Sequence, residues 1–276
     1  MSGGKDRLKV MLWNVHGFGI FDRDEKTRSA SIFSLIHKEN PDILCMPEYY
    51  VMDTPDSSRP YTRRMMEEQG FKYSHFVCDN TLGTKILLGT AVFSKFPVID
   101  YKVYQLSRYI FMTRSDIQLP AGRIISFYAT HLYSFMLSDD DLDYIQTASN
   151  NQVVTGDYKY EVQRYMHKFN RDYRERAREA DSAAHILKRS PYPIVLCGDF
   201  NDLPASYTYT TIRGNMNDAF VAKGAGLGRT YNHISPTLRI DHVLYEKSAL
   251  KARGYKLEKT SLSDHNPVVV NFDISK

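Results

Sequence analysis

Short apolar runs, rich in β-branched and aromatic residues, recur along the chain and constrain the fold more than any other feature. Most are bounded by Gly, Pro, Asp or Asn, which is typical of β-strands. Helical periodicity lies between some of the runs, over Arg23–Glu39 and Glu161–Arg189. Because strands dominate and helices intervene, the sequence predicts an α+β or layered α/β fold. The predicted strands are Leu8–Val15, Ile43–Met46, Phe71–Cys78, Thr90–Phe96, Tyr109–Leu119, Ile124–Thr130, Ile194–Cys197, Ile240–Tyr245 and Pro267–Phe272.

Length and composition allow a large core. The 276 residues, 42% of them hydrophobic, suffice for one large domain or two small ones. We predict a single domain over residues 5–276. The 36 basic and 32 acidic residues give a net charge of +4, which permits a phosphate-bearing substrate but does not by itself indicate nucleic acid. The three cysteines, Cys45, Cys78 and Cys197, are interpreted as reduced core thiols rather than as a disulfide frame or a zinc site.

Sequence patterns also bear on the location of the protein and on its surface. No stretch approaches the roughly 18 apolar residues of a membrane span, and no signal peptide is recognisable. The basic face of Glu161–Arg189 is interpreted as a solvated surface rather than a nucleic-acid stripe. Residues Leu137–Tyr160 are polar, acidic at Asp139–Asp141 and periodic in neither sense, which predicts a surface excursion.

Polar and ionisable residues stand at the ends of the apolar runs. Each has an ordinary structural explanation, such as a turn residue, a cap or a satisfied histidine. Together, however, two amides, four carboxylates and two histidines occupy comparable places on six elements. In layered α/β folds, sites are built where strand ends meet at one edge of a sheet. The residues concerned are Asn14, Glu48, His131, Asp199, Asn201, Asp241, Asp264 and His265.

The residue types indicate which ligand such a site binds. The set is rich in carboxylate and amide oxygens and contains no cysteine, which favours Mg²⁺ or Mn²⁺ over Zn²⁺. A magnesium site with one or two carboxylates keeps its other positions for water and substrate phosphate. The histidines and amides are then available to contact that phosphate. The pattern therefore favours metal-assisted phosphoester hydrolysis.

Six motifs in one order resemble the endonuclease/exonuclease/phosphatase superfamily of DNase-like phosphoesterases. They are "WNVHG" from Trp13, "PE" at Pro47–Glu48, "THL" from Thr130, "GDFN" from Gly198, "RIDHVL" from Arg239 and "SDHNPV" from Ser263, and they span nearly the whole chain. The resemblance implies a four-layer sandwich of two packed β-sheets flanked by helices, with the site in a cleft at one edge. It also implies Mg²⁺ as cofactor, with Mn²⁺ as a substitute.

The resemblance assigns the metal side of the cleft to three residues. Glu48 is expected to be the main magnesium ligand, Asn14 to assist through water or the phosphate, and Asp264 to complete that side.

It assigns the reaction to five others. Asp199 is expected to deprotonate the attacking water, Asn201 to hold the water and the transition state, and His265 to contact the phosphate. We expect the Asp241 carboxylate within about 3 Å of a His265 ring nitrogen, where it fixes the tautomer and favours the charged form. His131 is expected to assist the leaving group. With no acid adjacent in sequence, it is expected to titrate near the ordinary pKa of about 6.5.

Departures from the family patterns bear on the substrate. "PEYY" lacks the Gln and Lys that flank the metal-binding Glu of AP endonucleases, and "THL" replaces that branch's Tyr motif, so an abasic-site enzyme is disfavoured. The stretches "GDFNDLPASYTY" and "GLGRTYN…RIDHVLY" resemble a bacterial group whose members often carry an N-terminal membrane region. The expected location is accordingly cytoplasmic, or membrane-tethered within a longer parent protein.

Several alternatives remain open from sequence. The substrate is a phosphoester, either nucleic acid or a small-molecule or lipid-headgroup phosphate, and the protein is expected to be a monomer without a protein partner. Tyr231 is expected to line the cleft, and Arg239 to contact substrate. For a nuclease, Arg108, Arg123 and Arg229 are further candidate phosphate contacts. The alternative from another class is a catalytically silent phosphate-binding module on the same fold.

Overall fold

The computed structural model describes residues 7–20, 24–52, 60–83, 86–134, 158–232 and 238–275. Two six-stranded sheets form its centre. The strands are β1 (Arg7–Leu12), β2 (Ile43–Met52), β3 (Tyr73–Leu82), β4 (Ile86–Ser94), β5 (Val98–Gln105), β6 (Phe111–Gln118), β7 (Ile124–His131), β8 (Ile194–Asp199), β9 (Asn217–Asp218), β10 (Asp241–Tyr245), β11 (Leu250–Leu257) and β12 (Val268–Ile274).

Each sheet mixes parallel and antiparallel neighbours. The first has the order β11-β12-β1-β2-β4-β3 and the second the order β5-β6-β7-β8-β10-β9. The parallel pairs are β1 with β2 and β7 with β8, and each pair has a long helix in the intervening chain. The helices are α1 (Glu25–Glu39), α2 (Pro60–Glu67), α3 (Tyr158–Leu187), α4 (Tyr207–Arg213) and α5 (Ala219–Lys223).

Alternating burial along the strands produces four layers. One apolar cluster, including Val10, Phe127 and Val243, lies between the sheets. The outer face of the first sheet is covered by α1, through residues such as Phe33. The outer face of the second sheet is covered by α3 and α4, through residues such as Leu187. This confirms the expected α/β fold, a sandwich of two packed sheets flanked by helices.

All nine predicted runs contain or overlap strands, whereas β5, β9, β11 and the three shorter helices were not predicted. Most of the predicted excursion, residues 137–157, lies outside the described residues. Within them, all three cysteines are free: Cys45 and Cys197 are buried as expected, and Cys78 is half-buried. None of the described helices has the length and apolar character needed to cross a membrane.

Candidate active site

Strand register places three of the candidate residues side by side in the second sheet. His131 on β7 pairs with Asp199 at the end of β8, and Asp199 pairs with Asp241 at the start of β10. Two residues away along their strands, Ala129, Cys197 and Val243 belong to the apolar cluster between the sheets. Because side chains alternate along a strand, all three polar side chains face that same inter-sheet side. The apolar β8 therefore ends in a carboxylate at the rim of the cleft.

The first sheet contributes Asn14 and Glu48 through irregular backbone. Asn14 follows β1, and Glu48 lies in β2 where the pairing with β4 shifts register between Met46 and Tyr49. Glu48 has φ +51°, in the left-handed region that non-glycine residues rarely adopt. Such a bulge re-aims a side chain, and here Glu48 accepts a hydrogen bond of 2.9 Å from Asn14 Nδ2.

Asn14 joins the two sheets across the cleft. Its Nδ2 also lies 3.1 Å from Asp199 Oδ2, while its Oδ1 accepts a hydrogen bond from the backbone N–H of His16 at 3.0 Å. The amide thus presents its nitrogen to both carboxylates. It bridges them as a donor and does not offer them an oxygen.

The pairing expected for His265 is confirmed. Its Nδ1 lies 2.8 Å from Asp241 Oδ2, and its Nε2 lies 3.6 Å from Asp199 Oδ2. Trp13 Nε1 donates to the His265 backbone carbonyl at 3.0 Å, and the Tyr231 ring centroid lies 4.9 Å from that of the imidazole. The ring is therefore held by Asp241 through Nδ1 and contacted by Tyr231, which lies at the cleft, while Nε2 faces Asp199.

Buried charges set the protonation of this pair. Burial alone lowers the pKa of His265, but Asp241 and Asp199 more than offset it, and the net pKa is raised to about 10. For Asp199, burial and the neighbouring Asp241 raise the pKa to about 6, against the opposing effect of His265 and His131. The two groups thus form a carboxylate of unusual basicity beside a charged imidazole.

His131 does not titrate as expected. Its Nε2 lies 3.9 Å from Glu48 Oε1 and 3.9 Å from Asp199 Oδ2. Burial lowers its pKa, but Asp199, Glu48 and Asp79 together raise it by more. The net pKa therefore lies above the ordinary value. The expectation of an unperturbed histidine was wrong because the acids that face it come from other strands.

Asn201 and Asp264 lie on the loops that close the site. Asn201 has φ +50°; its backbone N–H donates to Asp199 Oδ1 and its Nδ2 to the Leu132 carbonyl, both at 2.9 Å. It thereby ties the loop after β8 to the loop after β7. The Asp264 side chain accepts a hydrogen bond from Ser263 Oγ at 3.1 Å.

Arg239 is not brought into the cleft. Its Nη1 lies 2.6 Å from Asp218 Oδ2 and 3.1 Å from His242 Nδ1, and its guanidinium packs on Phe220, all in a buried cluster on the outer face of the second sheet. The expected substrate contact by Arg239 is therefore replaced by a structural ion pair.

Two residues at the site were not identified from sequence. His16 Nδ1 lies 3.3 Å from Glu48 Oε2 and 3.6 Å from Asp264 Oδ2. A hydrogen bond with Glu48 raises the pKa of His16 to about 9, against burial, and the same bond, with His131, lowers that of Glu48 to about 2 despite its burial. Position 16 lies inside "WNVHG", so the motif itself could have drawn attention to it.

Asp79 is the second site residue that was not identified from sequence, and it lies in none of the six motifs. It is the extra residue where β3 bulges against β4, between the pairs Cys78–Gly89 and Asn80–Leu88. At Gly89 the strands approach so closely that a Cβ would come 1.9 Å from the Val77 carbonyl oxygen. The bulge places Asp79 where it interacts with His131 and Glu48, and burial raises its pKa to about 7.

The cleft has two parts of different accessibility. The Glu48 and Asp264 side chains are 24% and 21% exposed, whereas Asp199 is 1% exposed. Accessible carboxylate oxygens can bind a hard divalent cation, and the buried Asp–His pair can exchange protons and stabilise negative charge. A two-sheet sandwich with this cleft defines the class of DNase-like folds.

Comparison with known proteins identifies the family. The endonuclease/exonuclease/phosphatase family model matches residues 11–265, and the chain belongs to this family. No curated protein matches the chain at a significant level.

Solved structures share its fold at low identity. The human Nocturnin catalytic domain with bound sulfate is 18% identical, with 99% of this chain and 96% of that chain covered and a TM-score of 0.68. Humanized D. rerio TDP2 is 14% identical, with coverages of 97% and 99% and a TM-score of 0.65. A mannosyl-6-phosphatase from Bacteroides thetaiotaomicron is 16% identical, with coverages of 96% and 99% and a TM-score of 0.63.

Proposed function

We propose that the chain is a Mg²⁺-dependent phosphoesterase that hydrolyses its substrate with a water activated by Asp199. The observation that carries the proposal is the setting of Asp199, a buried carboxylate within 3.6 Å of His265 and 3.1 Å of Asn14. Its raised pKa of about 6 matches a general base that works near neutral pH.

The accessible residues offer the oxygen donors that a divalent cation prefers. Glu48 and Asp264 direct carboxylate oxygens toward one imidazole nitrogen, that of His16, and burial does not keep Glu48 protonated, since its pKa is about 2. Glu48 and Asp264 would hold Mg²⁺, with Asn14 acting through water or the phosphate. When bound, Mg²⁺ would neutralise charge on the phosphoryl oxygens.

The remaining steps belong to the side chains. Asp199 takes the proton of the attacking water, which Asn201 helps to hold. His265 donates a hydrogen bond from Nε2 to a phosphoryl oxygen, and Asp241 holds the proton on Nδ1 and stabilises the positive charge. His131, whose pKa is raised, supplies a proton to the leaving oxygen.

Two of the four candidate arginines make contacts within the fold, which weakens the expectation of a long nucleic acid. Arg239 pairs with Asp218, and Arg229 donates from Nε to the Tyr231 carbonyl at 2.9 Å and from Nη2 to the Asn232 carbonyl. Both are committed to the fold, which reduces the number of cations available to follow a phosphate backbone.

The proposal is tested with metal-stripped protein and the substrates bis-p-nitrophenyl phosphate and p-nitrophenyl phosphate. Hydrolysis should require Mg²⁺ or Mn²⁺ and stop with EDTA. Asp199→Asn, which keeps the shape but removes the base, should lower kcat roughly 10²–10⁴-fold with little change in KM. Asp24→Asn is the matched control, because Asp24 is a largely exposed acid at the start of α1.

A substrate panel of supercoiled DNA, RNA, sphingomyelin and inositol phosphates then separates nuclease from phosphatase activity. Metal-independent hydrolysis, or a change in KM alone for Asp199→Asn, would contradict the mechanism. Phosphate binding without turnover of any substrate would identify the silent module instead.

A further inference from the structure

A buried ionic cluster lies where α3 meets the loop after β8. Arg176, Glu179 and Asp202 are almost completely inaccessible to solvent, and Arg176 Nε lies 3.6 Å from Asp202 Oδ2. Replacing a buried ion pair by apolar residues is often neutral or stabilising, so packing of the helix does not require charged residues here. None of the three takes part in the proposed reaction.

One set of contacts leads from the cluster to the loop after β7. Tyr133 lies two positions beyond His131, at the end of β7. Its carbonyl accepts a hydrogen bond from Arg176 Nη1 at 3.1 Å, and its N–H donates to Glu179 Oε2 at 3.0 Å. The other oxygen of Glu179 accepts a hydrogen bond from Ser107 Oγ at 2.7 Å. Both backbone groups of Tyr133 are therefore fixed by α3.

The loops after β7 and β8 are also joined on the cleft side. The Leu132 N–H donates to the Asp199 carbonyl, and the Leu132 carbonyl accepts a hydrogen bond from Asn201 Nδ2, both at 2.9 Å. Behind this junction, Arg176 contacts the next residue of each loop. Supporting groups of this kind determine how closely a reacting set keeps its geometry.

A second buried arginine provides a contrast on the same sheet. Arg239 is 5% exposed and pairs with Asp218 at 2.6 Å. Its other contacts described above are with His242 and Phe220, and none of these three partners lies on the loop after β7 or β8. The two arginines are alike in burial and pairing, and differ in whether they contact those loops.

We propose that Arg176 is a positioning residue that holds His131 and Asn201 in place by joining the loops after β7 and β8 from behind. The inference rests on the proposed hydrolytic function, in which His131 protonates the leaving oxygen and Asn201 holds the water. Arg176 itself touches neither the substrate nor the water. Misplacement of a reacting group by about 1 Å can lower turnover roughly 10²-fold, so the effect should fall on kcat.

The test compares matched substitutions in the whole chain. Arg176→Met is set against Arg239→Met, which removes a comparable buried ion pair, and against Arg178→Met, an exposed control on the same helix. Arg176→Lys is the milder variant: it keeps the charge but replaces the rigid fork of donors by a single point of charge. It decides the question if Arg176→Met does not fold.

Three measurements are made on each variant. Urea denaturation gives its free energy of unfolding, amide hydrogen exchange gives the local stability of the two loops, and hydrolysis of bis-p-nitrophenyl phosphate gives kcat and KM. We expect loss of the Arg176 guanidinium to lower kcat about 10²-fold with KM little changed. Exchange at the Leu132, Tyr133 and Asn201 amides should accelerate more than at a core strand amide such as that of Val10.

The controls decide between positioning and stability alone. Arg239→Met should accelerate exchange only in proportion to its loss of stability, and Arg178→Met should resemble wild type. Equal effects of the Arg176 and Arg239 substitutions on the three loop amides, or a raised KM with unchanged kcat, would overturn the inference. Selective exchange in the loops supports it even if no phosphoester is hydrolysed, in which case only the proposed function fails.

Discussion

Asp241 and His242 are neighbours on β10, yet they belong to two clusters of opposite electrostatic character. Asp241 faces the cleft and holds His265, whereas His242 faces the outer side of the sheet and meets Arg239. Both histidines are almost completely buried. The pKa of His265 is raised to about 10 and that of His242 is lowered to about 4.

Burial lowers the pKa of both histidines and is the largest cause for His242, so the contrast shows that the partner decides whether the effect of burial is offset. An arginine can only donate hydrogen bonds, so His242 Nδ1 accepts one from Arg239 Nη1 at 3.1 Å and must be unprotonated. Its Nε2 then carries the proton and faces the Asp202 carbonyl at 3.4 Å. A carboxylate can only accept when ionised, and so Asp241 keeps a proton on His265.

The largest expected effect is on the cleft side. His265→Ala should lower kcat roughly 10²–10⁴-fold, because it removes a preset positive charge and leaves Asp241 unpaired. Asp241→Asn should reproduce part of that loss, and the double variant should be little worse than His265→Ala, since the pair acts as a unit. Steady-state kinetics of the three variants give the coupling. Additive losses would mean that the two residues work independently.

On the outer side the effect should fall on stability. Arg239→Met leaves Asp218 buried without its cation and should lower the free energy of unfolding by about 3–5 kcal/mol. Urea denaturation measures this, at a temperature where the variant is still folded. A KM unchanged from wild type is expected in the same variant. Full stability together with a raised KM would return Arg239 to the role of a substrate contact.

His242 should make the free energy of unfolding depend on pH. Its pKa in the folded state is lowered to about 4, below the ordinary 6.5, so the unfolded chain binds the extra proton more readily. The stability that the neutral His242 contributes is complete above pH 6.5. As the pH falls toward 4 the free energy of unfolding decreases, by about 3 kcal/mol at most. His242→Gln stays neutral and should flatten the unfolding free energy over this range. An equally steep profile in that variant would place the acid sensitivity elsewhere.

The smallest expected effect concerns Asp79, a further acid that interacts with His131 on the cleft side of the second sheet. Asp79→Asn should lower the pKa of His131, because Asp79 is one of three acids that raise it. Titration of the ring nitrogens by NMR measures the change. No shift would show that Asp199 and Glu48 alone determine the charge of His131.

The sequence predicted the interior of the fold better than its margins. Buried strands such as β8 are continuous apolar runs, whereas β5 and β11 are sheet-edge strands with charged, exposed residues such as Lys102 and Lys251. Edge strands carry such residues because they discourage pairing with other chains, and the same residues conceal the strand. The short helices α4 and α5 leave too few turns for periodicity to be detected.

The site was predictable where residues end strands and not where the backbone departs from regular geometry. The pairing of Asp241 with His265 is confirmed from two motifs that were read separately. The acids facing His131, and the place of Asp79, depend on bulges and cross-strand register that no local pattern encodes. Arg239 was misassigned because an arginine beside a motif looks the same whether it contacts a ligand or a buried aspartate.

Residues with a left-handed backbone conformation at the site set its function against selection for higher thermal stability. Of the five non-glycine residues with positive φ in the described chain, three are His16, Glu48 and Asn201. At such positions glycine removes local strain, so a screen for thermal tolerance would reward glycine where the cleft needs an imidazole, a carboxylate and an amide. Stabilising designs for this fold should keep these three positions fixed and look elsewhere, because resistance to heat and turnover oppose each other there.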